Sequence, residues 1–85
     1  MREQYLSVLK TVFYSDLAAE RSALGLTQHE MSYLLAMDVR SYIELEHGNS
    51  CCGALTLARF LIYCCNDALA FLAKLQAAFE LVDAA

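Results

Sequence analysis

The side chains here that could do chemistry are two histidines, four cysteines and ten carboxylates. His29 stands near a helix start and His47 near a helix end. No serine, cysteine or carboxylate lies at a spacing that would build a catalytic triad around either one. There is no glycine-rich phosphate loop and no HExxH zinc signature. Both histidines therefore read as surface residues, and no enzyme activity and no cofactor are expected. The cysteines come as two adjacent pairs, Cys51-Cys52 and Cys64-Cys65. Adjacent cysteines lack the two-residue spacer that lets a pair grip one zinc ion. They read first as small buried hydrophobes in a reducing compartment. A site built from both pairs with His47, redox sensing, or an intermolecular disulfide are the alternatives.

The elements that would position any such group centre on residues 27–48, TQHEMSYLLAMDVRSYIELEHG. Thr27 and Glu30 have the spacing of a capping box. Apolar Met31, Leu34 and Leu35 follow, and this helix should end at about Leu35 or Ala36. Asp38 is placed to cap a second helix over about Val39 to His47, with Tyr42 and Leu45 on one face. Gly48 stops it, because glycine enters the left-handed conformation without a Cβ clash. Two short helices joined by a three-residue turn have the shape of a helix-turn-helix.

Before this unit, residues 2 to 24 read as one helix, or as two broken near Ser15-Asp16, closed by Gly25. After it, residues 49 to 53 form a loop. Residues 54 to 65 read as a fourth helix with Leu57, Phe60, Leu61 and Cys64 facing the core. Residues 66–83 read as a last helix capped by Asn66 or Asp67. On it Leu69, Leu72, Leu75, Phe79 and Val82 make one apolar stripe, and Ala68, Phe71 and Ala78 a second. A helix apolar on two sides is buried on two sides, so one stripe is a candidate dimer contact.

Composition agrees with an all-α fold. The chain has 85 residues, 59% of them hydrophobic, no proline and three glycines. That is one domain, with more apolar surface than a small core hides, which points to a homodimer or another partner; a densely packed monomer is the other reading. Six Lys and Arg face ten Asp and Glu, a net charge of −4. This sign opposes binding held mainly by phosphate contacts. The first ten residues are too polar and charged for a signal peptide. The apolar runs 51–65 and 68–82 are interrupted by Arg59, Lys74 and Glu80 and fall short of a membrane span. A cytoplasmic protein without membrane contact is expected.

At Gly25-Leu26-Thr27-Gln28, Met31-Ser32, Leu35, Met37, Asp38, Tyr42 and Leu45-Glu46-x-Gly48 the sequence resembles the lambda-repressor-like (Cro/cI, XRE) helix-turn-helix family. The resemblance spans roughly residues 14 to 72. It implies a compact five-helix DNA-binding domain over 1–85, with residues 1–13 as an N-terminal helical extension. It also implies a sequence-specific transcriptional regulator, a homodimer on a short inverted repeat of double-stranded DNA. An arginine at the position of Arg21 would pair with Glu46 and clamp the first helix to the third.

Carried over residue by residue, Gln28 would anchor a phosphate, and Val39, Arg40, Ser41, Ile43, Glu44 and His47 would face the major groove. Arg40 suits guanine O6 and N7, Val39 a thymine methyl, Ser41 a base or phosphate, and Glu44 cytosine N4. The other reading of Arg40 is a solvated surface cation. Tyr33 and Leu34 stand where the family shows charge to solvent. They are either a protein-contact face or packed under the N-terminal extension. The former, with the acidic balance and Ile43, supports an alternative function. In it the scaffold acts as a protein–protein interaction module, anti-repressor or antitoxin-like, with little DNA affinity.

Overall fold

Abundant leucine and alanine without proline give the chain little but helix to form. The computed structural model describes residues 2–85, and the described residues hold five α-helices and one π-helical turn. Helix α1 is Arg2–Leu24, α2 Gln28–Leu34, α3 Val39–Glu46, α4 Ala54–Arg59 and α5 Ala68–Ala84. The π-turn, Phe60–Cys64, continues α4. Helix α1 is unbroken at Ser15-Asp16, so the extension read over residues 1–13 is part of one rod; Met1 itself lies outside the described residues. The predicted fourth helix keeps α-helical geometry only to Arg59. There the Cys65 amide bonds back to the Phe60 carbonyl at 2.9 Å, five residues away, and the wider turn ends the helix.

Three helices stop in the same way. After α1, Gly25 and Leu26 donate to the Ser22 and Arg21 carbonyls; after α3, Gly48 and Asn49 donate to Leu45 and Glu44. After α2, Ala36 and Met37 donate to Tyr33 and Ser32 in the same pattern. Gly25, Ala36 and Gly48 are all left-handed, with φ of 69°, 57° and 77°. Alanine holds the middle one against its Cβ penalty.

The core joins Phe13 and Leu17 of α1, Met31 and Leu35 of the α2 end, Tyr42 and Leu45 of α3, Phe60 and Cys64 of the π-turn, and Phe71 of α5. Phe13, Phe60 and Phe71 meet edge to face, with ring centroids 4.9, 5.3 and 6.2 Å apart. The first half of α1 is covered by α5, where Tyr5 packs edge-on against Phe79 at 5.3 Å and hydrogen-bonds Asp83. The extension therefore packs on its own chain rather than over Tyr33 and Leu34.

The two stripes read on α5 need correcting. Its covered side is Ala68, Phe71, Leu75, Ala78, Phe79 and Val82, whereas Leu69 (79% exposed) and Leu72 face solvent with Leu81. The apolar residues lie all round this helix, so periodicity alone had no contrast from which to choose a side. Among the described residues no helix is long and apolar enough to cross a membrane.

Candidate nucleic-acid interface

The α2–turn–α3 unit is held by side chains that satisfy its helix ends. The Thr27 amide donates to Glu30 Oε1 at 2.8 Å, and the Glu30 amide donates to Thr27 Oγ1 at 3.1 Å. Asp38 caps α3, accepting from the Ser41 amide at 2.7 Å and the Ser41 hydroxyl at 3.1 Å. Those bonds hold the Asp38 carboxyl below the usual carboxylate range, with Arg40 adding to the shift. Small Ser32 is buried, and its hydroxyl donates to the His29 carbonyl at 2.6 Å.

Glu46 is the hub of the unit. Arg21 grips it with two bonds, Nε to Oε2 at 2.7 Å and Nη2 to Oε1 at 3.1 Å. A third Arg21 hydrogen reaches the Leu26 carbonyl at 3.1 Å. Tyr42 Oη donates to Oε2, and Gln28 Nε2 to Oε1 at 3.0 Å. Burial alone would raise the Glu46 pKa, but the bonds from Arg21, Tyr42 and Gln28 outweigh it and hold the carboxyl ionised below its ordinary value. Burial, then Glu46, pushes the Tyr42 hydroxyl far above its ordinary range, so it stays a donor. Three residues, one each from α1, α2 and α3, thus share one carboxylate through four hydrogen bonds.

This hub changes the reading of Gln28. Its amide is half-buried and one of its two N–H groups is spent on Glu46, leaving one for a phosphate. Arg40, Ser41, Glu44 and His47 are exposed on the outer side of α3. Val39 and Ile43, expected to face outward with them, are half-buried. The expected pair Tyr33 and Leu34 splits: Tyr33 is 81% exposed, while Leu34 packs against the core. The Leu34 carbonyl accepts from Arg59 Nε at 2.8 Å, and the Arg59 guanidinium lies 4.8 Å from the Tyr63 ring centre.

Three of the six cations are committed within the fold, Arg21 to Glu46, Arg59 to Leu34, and Lys74 to Asp16 at 2.6 Å. On α3 that leaves Arg40. Beside α3 runs a groove of about 410 Å³ lined by Arg40, Ser41, Glu44 and, across from them, Ser50, Cys51 and Cys52. Cys51 is exposed rather than buried, which corrects the reading of all four cysteines as core residues; Cys64 alone is buried. Sequence reasoning passed over Tyr42 as a hydrogen-bond donor because its ring reads as core. It also missed the Gln28 bond, which joins positions eighteen residues apart.

Protein-family models, curated proteins and solved structures were each compared with the chain, and none matches.

Proposed function

We propose that this chain is a sequence-specific DNA-binding transcriptional regulator of the lambda-repressor-like type, acting as a homodimer on a short inverted repeat. The observation that carries the reading is α3. A hub on its inner side locks its angle to α1 and α2, and its outer side presents Arg40, Ser41, Glu44 and His47 to solvent. A helix held at a fixed angle with exposed polar side chains is what base reading in a major groove requires. Arg40 reads guanine, Ser41 and the remaining Gln28 N–H touch base or phosphate, and Glu44 selects against phosphate-only contact. With so few uncommitted cations, binding depends weakly on salt, since each neutralised phosphate adds about −0.9 to the slope of log K against log salt.

The test is selection from random duplexes followed by anisotropy titration at two salt concentrations. Enrichment of a two-fold symmetric sequence is expected. On it Arg40→Ala costs about 1–3 kcal/mol and relaxes preference at one base pair. An unenriched pool removes the reading.

A second reading is favoured by a separate observation. Tyr33, Ile62 and Leu69 are each more than two-thirds exposed on a chain of net charge −4. In it the same scaffold binds another protein in the manner of an anti-repressor or antitoxin, with little DNA affinity. Tyr33→Lys, which leaves the core untouched, separates the two: it abolishes partner binding in the second and spares operator binding in the first.

A further inference from the structure

Neighbouring residues project about 100° apart on a helix and to opposite faces of a strand, so adjacent cysteines in regular structure cannot offer both sulfurs to one centre. Cys51 and Cys52 escape this constraint. They lie in the irregular segment between α3 and α4, and both line the groove beside α3. Both are free thiols, Cys51 exposed and Cys52 half-buried. The second pair differs, because Cys64 closes the π-turn with its side chain in the core, 4% exposed.

We propose that Cys51 and Cys52 form a dithiol site for a trivalent arsenical carrying one organic substituent, opening on the groove beside helix α3. Soft centres prefer sulfur over the oxygen and nitrogen ligands nearby. Among the described residues no group of three or more His, Cys, Asp or Glu could hold a metal ion. The donor set is therefore two sulfurs, which completes the valence of an arsenic atom already bonded to one carbon. Once the first sulfur has bonded, the second attacks within the molecule, at an effective concentration a free monothiol does not match.

The step balances. An arsenoxide R–As=O takes one hydrogen from each thiol; two As–S bonds form, the arsenic–oxygen bond breaks, and one water leaves. Arsenic stays trivalent and no oxidant is used. Peroxide sensing fits the pair less well. Burial pushes the Cys52 thiol up to about 11, and the Cys51 thiol beside it acts in the same direction. The thiolate that peroxides oxidise is then scarce near neutrality. The adduct would occupy the groove against Arg40, Ser41 and Glu44, but the chemistry of the site stands independently of what α3 binds.

Intact-protein mass spectrometry with phenylarsine oxide tests it. The expected result is one equivalent bound per chain, with a mass gain of the arsenical less one water, resistant to excess glutathione and released by 1,2-ethanedithiol. Cys51→Ser and Cys52→Ser each lose the glutathione-resistant adduct, while Cys65→Ser keeps it; circular dichroism checks that each variant is folded. An unmodified wild-type chain, a resistant adduct on folded Cys51→Ser, or its loss in folded Cys65→Ser would overturn the proposal.

Discussion

The inner side of the α2–turn–α3 unit and the outer side of α5 are made in opposite ways. Around Glu46, geometry is set by hydrogen bonds whose lengths and directions admit one arrangement of α1, α2 and α3. Along α5, Leu69, Leu72 and Leu81 meet no comparable constraint and stand in solvent. A positive mean hydropathy of +0.40 would suggest an enlarged core, yet much of the apolar surplus lies on this outer side. Directional bonding specifies one region, whereas the other presents apolar side chains that the described residues leave exposed.

The largest effect is expected at Glu46. Glu46→Ala strands Arg21, Gln28 and the Tyr42 hydroxyl at once, and urea unfolding should show a loss of about 3 kcal/mol, the low end for a broken buried pair because Arg21 is partly solvated. The same carboxylate gives a pH signature. Its folded pKa is depressed, so its stabilisation is complete above the unfolded carboxylate value and is lost as pH falls through the lower folded value. Melts taken downward from about pH 5 should fall steeply in the wild type and less so in Glu46→Gln.

Gly48→Ala comes next. A Cβ there would meet Tyr14 Cδ1 at 3.2 Å at a φ of 77°, costing about 1–2 kcal/mol by the same denaturation assay. Ala36→Gly runs the other way. It relieves a left-handed alanine, and the gain, offset by the extra freedom of unfolded glycine, should be under about 1 kcal/mol. Leu69→Lys should change monomer stability by no more than about 0.5 kcal/mol. If it costs several times that in a dilute, monomeric sample, the outer side of α5 is not a free surface and the contrast fails. If it weakens self-association in sedimentation, the contrast gains its meaning.

Much of the α2–turn–α3 segment was legible because its signals are local. Thr27 with Glu30, Asp38 with Ser41, and the stop at Gly48 each act within a few residues and outweigh competing propensities. What was not legible depends on three-dimensional neighbours. Ala36 carries no mark of its left-handed conformation. The π-turn hides inside a helical pattern, and the side of α5 that packs is decided by Phe13 and Phe60 rather than by its own sequence. Gln28 looks like a surface amide until Glu46 is beside it. Cys51 was misjudged because a small apolar residue is buried only if its loop turns inward.

The pairing of the start of α1 with α5 has a consequence for the order in which the molecule is made. Tyr5 finds Asp83 only after 78 further residues have been synthesised, whereas Thr27, Glu30, Asp38 and Ser41 meet their partners within a few residues of emerging. The nascent chain therefore carries Tyr5 and Val8 uncovered until α5 emerges, and the seam they form with α5 closes after the α2–turn–α3 unit has formed.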